Sequence, residues 1–271
     1  MFEYRGRTAL VTGASSGIGV AFVQALAAKG MNVILVARSA DRLRQLADEI
    51  STKHSVRTEV VVADLSEGSA AEAVREEVER RSLAVDLLVN NAGFATHGLF
   101  EDIPAKRDHD EVMVNVAAVV GLTHAFVPGM LARGGGAVIN VASTAAFQPL
   151  PFMAVYGATK AFLVSFSYAL AEEYRDRNIR VLALCPGPTE TNFFEVVGSK
   201  QAAVGRLRSA EQVVATGLRA LEKGRSFAVD GVGNAVSGFL ARMLPSGFTA
   251  KMAGRITRPR KNLDTSGSTR I

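Results

Sequence analysis

The chain has 271 residues, 48% hydrophobic and 21% charged, with 31 Lys and Arg against 26 Asp and Glu for a formal charge of +5. That balance fills a large core and excludes a disordered or fibrous chain. One cysteine, Cys185, excludes an internal disulfide, and the four histidines (His54, His97, His109, His124) lack metal-ligand spacing, so no metal site is expected.

In chain order, strand-like apolar runs alternate with helical stretches. Residues 8–11 read as a strand ending at Gly13, and 17–29 as a helix stopped by Gly30. Strands over 32–37, 58–63 and 85–89 enclose helices over 41–51 and 70–81. A long apolar helical region spans 108–132, followed by a Gly134-Gly135-Gly136 turn and a strand over 137–141. A helix over 155–176, a strand over 179–184, a serine-capped helix over 209–223 and a short strand over 226–229 complete the pattern. Several strands are apolar nearly throughout, as when helices cover both faces of a parallel sheet. The alternation predicts a doubly wound α/β sheet of about seven strands in a single domain over 1–262. Its core spans about 5–230, and a helical extension follows over about 231–262. Residues 263–271 are expected to fray.

Residues 1–5 hold no apolar stretch of signal-peptide length, and no run of about 18–20 apolar residues is read as a spanning helix. The stretch 232–244 is interrupted by Gly233, Asn234, Gly238 and Arg242. A cytoplasmic location is expected. Lys251, Arg255, Arg258, Arg260 and Lys261 have no acid among them. They are read as a solvated end or as a weak membrane-surface contact; no nucleic-acid partner is expected.

The first strand runs into Thr12-Gly13-Ala14-Ser15-Ser16-Gly17-Ile18-Gly19 and then a helix. A glycine loop at that junction brings backbone close to a dinucleotide pyrophosphate over a helix N-terminus, the site of a Rossmann fold. The spacing is G-x-x-x-G-x-G rather than the general G-x-G-x-x-G. The second strand ends Val36-Ala37-Arg38-Ser39, with no acid there to hold a free ribose hydroxyl. Arg38 and Ser39, with Arg42 as a second cation, favour the 2′-phosphate of NADP over NAD; a solvated arginine is the plain alternative for Arg38. Asp64 and Leu65 follow the third strand, Asp64 being placed for the adenine amino group or for capping. Asn90-Asn91-Ala92-Gly93 follows the fourth. Its asparagines suit tying the sheet edge together, and its glycine suits cofactor clearance.

Tyr156 and Lys160 are four residues apart and share a helical face, with Ser143 just upstream after a strand. An ammonium beside a phenol favours the phenolate. Bringing a tyrosine from about 10 to neutrality asks roughly 4 kcal/mol, at about 1.36 per unit. Ser143 is suited to donate to a substrate oxygen as charge develops on it.

Together, Thr12 to Gly19, Asp64, Asn90 to Gly93, Asn115, Ser143, Tyr156, Lys160 and Pro186-Gly187 resemble the short-chain dehydrogenase/reductase family. The likeness is to NADP-using bacterial reductases, hydroxysteroid dehydrogenases and 3-oxoacyl reductases. It implies a catalytic tetrad of Asn115, Ser143, Tyr156 and Lys160. Asn115 would hold a water in a proton relay, Lys160 would bind the nicotinamide ribose, and Thr189 and Thr191 would contact the carboxamide. It also implies a homo-oligomer through the helices around 108–132 and 155–176.

Phe94, Phe147, Leu150, Phe152, Met153, Phe193 and Phe194 fall on loops at the carboxyl edge of the sheet, with no arginine or lysine among them. They are read as walls of a pocket for an apolar, steroid-like or acyl-chain-like carbonyl or alcohol, with ordinary core packing as the alternative for each. Residues 192–208 are read as a mobile lid. A non-catalytic NADP(H)-binding sensor or scaffold on the same fold is the alternative function.

Overall fold

The computed structural model describes residues 2–191, 193 and 207–259. Seven parallel strands form one sheet: β1 (Thr8–Thr12), β2 (Asn32–Ala37), β3 (Thr58–Val62), β4 (Leu87–Asn90), β5 (Gly136–Val141), β6 (Ile179–Cys185) and β7 (Phe227–Val229). They lie in the order β3-β2-β1-β4-β5-β6-β7. The order reverses at β1, so a crevice opens between the carboxyl ends of β1 and β4, where ligands of such sheets bind.

The helices are α1 (Gly17–Ala28), α2 (Ala40–His54), α3 (Ala70–Arg80), α4 (Ala105–Val112), α5 (Ala118–Ala132), α6 (Ala154–Glu173), α7 (Ala210–Glu222), α8 (Val232–Met243) and α9 (Ser246–Thr257). One face of the sheet packs on α1, α2 and α7 through Phe22, Leu26, Leu43, Ile50 and Leu218. The other packs on α3 and α5 through Val74, Leu122, Phe126 and Met130. With both faces covered, β4 and β5 are buried at every position, which is why they read as apolar nearly throughout, Asn90 and Asn140 excepted.

The element boundaries agree with the expected ones to within three residues, and differences of that size are common at element ends. The expected 108–132 region is one continuous helix made of α4, a π-helical turn (Met113–Ala117) and α5. Its most apolar window has a mean hydropathy of 1.6, enough by length and composition to cross a membrane, which corrects the reading that no such run exists. In this fold Leu122, Phe126 and Met130 of that helix pack into the core beside β5. α7 opens on a complete capping box between Ser209 and Gln212.

A buried polar chain ties the sheet to its helices near the carboxyl edge. The Asn90 amide donates to Asn140 Oδ1 at 2.9 Å, and the Asn140 amide donates to Ser167 Oγ at 2.9 Å. Asn91 works on the neighbouring strand, donating from Nδ2 to the Thr12 carbonyl at 2.8 Å. The expected role of these asparagines is thus seen in their contacts. Asn140→Ala leaves the Asn90 amide and Ser167 without these partners. It is expected to lower the unfolding free energy by about 2–4 kcal/mol, read as a lower urea midpoint at unchanged slope. A wild-type midpoint would show that the chain carries no stability.

Candidate functional site

The carboxyl ends of the strands open into one cleft of about 840 Å³. At one end lies the loop from β1 to α1, contributing Gly13, Ser15, Ser16, Gly17 and Ile18. Ser16 caps α1 by position only: its side chain makes no capping bond, and the first turn holds no acid. The positive end of the helix dipole therefore faces the cleft with no acidic residue in its own first turn to answer it. Gly13 has φ +65°, and a Cβ there would stand 2.9 Å from the Ala92 Cα. Gly19 lies underneath rather than on the lining, where a Cβ would come 2.1 Å from the Gly13 carbonyl oxygen. Its part is to let the loop fold onto α1. Thr191 closes over the loop, its Cγ2 lying 2.9 Å from where a Gly17 Cβ would be.

Beyond the loop, Arg38, Ser39 and Arg42 line the cleft at the end of β2, with Asp64 and Leu65 from the end of β3. Ser39 precedes α2 but its side chain does not cap it. Arg38 is exposed and lies 3.7 Å from Asp64. The Asp64 carboxyl is held below its usual range by the Ser66 backbone N–H, against a smaller opposing effect of burial, with Ser66 Oγ and Arg38 adding to the lowering. Asp64 does not cap the following helix; it accepts from Ser66 N at 3.0 Å and Oγ at 2.8 Å. These groups make a cradle shaped for a dinucleotide: an unanswered helix N-terminus, close-packed glycines, and cations at the far end.

The opposite end of the cleft holds Ser143, Tyr156 and Lys160. Ser143 follows β5 with an extended backbone (φ −170°), and its Oγ accepts from Ala145 N at 3.1 Å. Tyr156 and Lys160, one turn apart in the first half of α6, are both buried. Lys160 Nζ donates to the Val141 carbonyl at 2.9 Å and sits 5.7 Å from the Tyr156 ring centre. Gly93 lies between the two polar groups behind them, since a Cβ there would meet Asn115 Oδ1 at 2.9 Å and Lys160 Nζ at 3.3 Å.

Asn115 stands on the π-helical turn, fully buried. Its Nδ2 donates to the Phe94 carbonyl at 3.0 Å and to Thr159 Oγ1 at 3.1 Å, and its Oδ1 accepts from Phe94 N at 3.2 Å. The side chain is thus occupied in clamping the loop after β4 to α6.

The electrostatics depart from the expectation that Lys160 lowers the tyrosine. Burial pushes the Tyr156 phenol up to about 12, against a smaller lowering by the Ser143 hydroxyl. Burial likewise brings Lys160 down to about 8, opposed by the Glu111 carboxylate. Desolvation outweighs the attraction because both groups lie in the same water-poor corner. Glu111, which the sequence reading missed, is itself buried on α4. Burial raises it to about 7, although Thr96 donates to it from N at 2.9 Å and Oγ1 at 2.8 Å.

The apolar walls match the expectation in part. Phe94 and Phe193 line the cleft, the Phe193 ring lying 5.6 Å from that of Tyr156, and Leu150 and Met153 lie nearby. Phe147 also lines it, but its ring is largely buried against Phe227. Phe152 is a correction. It is not on the lining; its backbone takes φ +65°, and its ring lies beneath Arg258 at 5.9 Å. Arg107 is a second correction. It reaches the cleft beside the Phe94 ring, so the wall does hold a cation. Phe194, and the expected lid apart from residues 193, 207 and 208, lie outside the described residues.

Pro186, Gly187 and Thr189 line the cleft after β6, with Thr189 Oγ1 donating to the Gly187 carbonyl at 2.9 Å. Above them, α8 and α9 supply a roof the sequence reading did not assign: Asn234, Ser237, Gly238, Ile256 and Thr257. The signal was Gly238, an isolated glycine in a helix. A Cβ there would fall 2.3 Å from the Phe147 ring. Asn91, Ala92 and Gly93 complete the floor.

The short chain dehydrogenase family model matches residues 7–202. The chain belongs to this family. Curated members similar to it include hydroxysteroid dehydrogenase-like protein 1 of Gallus gallus, 39% identical over 184 residues, 67% of this chain and 55% of that protein. The very-long-chain 3-oxoacyl-CoA reductase of Anas platyrhynchos is 37% identical over 196 residues, 70% of this chain and 62% of that protein. The human inactive hydroxysteroid dehydrogenase-like protein 1 is 36% identical over 69% of this chain and 57% of that protein. The chain thus spans a little over half the length of these short-chain dehydrogenase relatives. Among solved structures, a short-chain dehydrogenase of Sphingobium yanoikuyae in complex with NADPH superposes with a TM-score of 0.80 at 27% identity, covering 96% of this chain and 99% of that one. A short-chain dehydrogenase/reductase of Burkholderia phymatum in complex with NAD gives 0.80 at 25%, covering 89% and 94%. A nicotinamide cofactor is therefore supported for this short-chain dehydrogenase.

The buried lysine has a stability consequence. Its folded value of about 8 lies below the ordinary 10.5. The folded state therefore bears a penalty that is complete below pH 8 and is relieved as pH rises from 8 to 10.5. Lys160→Met is expected to stabilise the cofactor-free protein at pH 7 by about 1–3 kcal/mol, at about 1.36 per unit less the lost bond to Val141. Urea unfolding at both ends of that pH window tests this, and an equal difference at the two ends would exclude a charge-burial cause.

Proposed function

We propose that the protein is an NADP(H)-dependent oxidoreductase that interconverts an apolar carbonyl compound and its secondary alcohol. The observation that carries this reading is the convergence of Ser143, Tyr156 and Lys160, two of them buried, in the same cleft that the α1 N-terminus and Arg38 open at its other end. A bound nicotinamide supplies the hydride when a carbonyl is reduced and accepts it when an alcohol is oxidised. Gly13 to Ile18 would hold the pyrophosphate, Arg38, Ser39 and Arg42 the 2′-phosphate, and Thr189 and Thr191 the carboxamide end.

Tyr156 gives its phenolic proton to the substrate oxygen. A phenol held protonated up to about 12 in the free site is loaded for that direction. Ser143 donates a hydrogen bond to the same oxygen as negative charge develops on it. The Lys160 ammonium, one turn behind the ring, stabilises the phenolate left after transfer. The apolar walls around Phe94, Leu150, Met153 and Phe193 favour a steroid-like or acyl-chain-like substrate. Arg107 at the rim leaves room for one with a polar or acidic end. The NADPH-bound neighbour and the 3-oxoacyl-CoA reductase relative support the reading. A 7beta-hydroxysteroid dehydrogenase structure, with a TM-score of 0.83 at 30% identity over 93% of this chain and 98% of that one, also supports it. A homo-oligomer through the helices around 108–132 and 155–176 and a cytoplasmic location belong to the same proposal.

Some relatives carry the word inactive in their names, so turnover is the deciding measurement. NADPH oxidation over ketones of graded size is expected to show turnover with the bulky apolar ones. Tyr156→Phe is expected to reduce kcat by about 10³-fold while the NADPH Kd changes little. An NADPH-binding protein that reduces no ketone would instead be the sensor. Arg38→Ala is expected to raise the NADPH Kd about tenfold or more and leave the NADH Kd nearly unchanged. Equal losses for both cofactors would remove Arg38 from phosphate recognition.

A further inference from the structure

We propose that the outer face of α8 and α9 docks on an anionic lipid bilayer, presenting the cleft roof to the membrane. On α8, Val232, Val236, Phe239, Leu240 and Met243 recur at helical spacing and are exposed, Phe239 at 65% and Met243 at 71%. On α9, Phe248, Met252 and Ile256 do the same at four-residue intervals. Lys251 and Arg255 flank them, while Arg242 and Arg258 set their guanidinium groups over the Phe147 and Phe227 rings and the Phe152 ring; no acidic residue occurs over 231–259. An apolar stripe on two helices whose own charged residues are all cations matches a bilayer surface carrying negative headgroups.

Three observations fit this occupant. A groove of about 620 Å³ between α7 and α8 is walled by Val232, Val236, Phe239 and Leu240 and includes Arg219, the shape and polarity of a site for an acyl chain under a headgroup. A second copy of the chain meeting this face symmetrically would set cation against cation. Ile256 belongs both to the exposed stripe and to the cleft lining, so the docked face is continuous with the roof. His97 Nε2 lies 2.7 Å from the Thr257 carbonyl, and Thr257 Oγ1 donates to the Pro151 carbonyl at 2.8 Å, holding α9 against the site loops. On the proposed reductase reading, an apolar substrate would pass from lipid to cleft without crossing water; the docking itself does not depend on that reading.

The test is co-sedimentation of the full chain with vesicles of phosphatidylcholine alone and of phosphatidylcholine with phosphatidylglycerol. Binding is expected to the anionic vesicles, to weaken about tenfold or more in Lys251→Gln/Arg255→Gln, and to be lost in Phe239→Asp/Met243→Asp. Turnover of a water-soluble ketone should be the same in both variants as in wild type, so failure of the docking and failure of the reductase reading are separable. Absence of binding, equal binding to neutral vesicles, or binding untouched by the substitutions would overturn the proposal. So would a dimer in sedimentation equilibrium that Phe239→Asp/Met243→Asp splits with no vesicle binding, which would give the face to a second copy.

Discussion

Lys160 carries an ammonium into a part of the protein that water scarcely reaches, and much of the carboxyl edge is arranged around that charge. Removing such a group from water costs several kcal/mol even after the surroundings relax. Among the described residues the only hydrogen bond it makes is to the Val141 carbonyl, and the carboxylate that favours its charge is a buried Glu111 whose own ionisation is suppressed. The fold therefore tolerates an unfavourable charge in order to keep a cation behind a phenol. That arrangement is costly when the cleft is empty and useful when negative charge appears beside it.

Holding that corner together falls to buried polar side chains. Asn115 clamps the loop after β4 to α6, and the chain Asn90–Asn140–Ser167 joins β4 to β5 and β5 to α6. Thr12 accepts from the Asn91 amide through its carbonyl, and its hydroxyl accepts from the Asn91 and Ala92 backbone, so the first and fourth strands end in register. These contacts tie the two ends of the cleft to one hydrogen-bonded framework.

The sheet was legible because its strands are apolar on both faces, and the helices because Gly30 and Ser209 punctuate them. The glycine loop, Arg38 and the Ser143, Tyr156 and Lys160 trio were legible because their chemistry is carried by residue type and short spacing. What failed to show was whatever depends on direction or on distance along the chain. Phe152 is aromatic and sits in the right loop, but a left-handed backbone aims it away. The balance of desolvation against attraction at Tyr156 depends on depth, which a tyrosine–lysine spacing does not report. Glu111 and Arg107 reach the site from a helix that reads as one more covering layer. The roof is the largest omission: α8 and α9 meet the cleft only through long-range packing.

That roof rests on Gly238, whose missing side chain admits the Phe147 ring. The family model ends at residue 202, whereas the helices above the cleft begin at 232. The part of the chain that carries the glycine loop and the part that roofs the cleft are thus separate lengths of sequence, joined at Gly238 and through the Thr257 contacts with His97 and Pro151. Changes in the second that keep those contacts leave the first as it is. Members of such a lineage would keep one redox currency while exchanging the molecules on which they spend it.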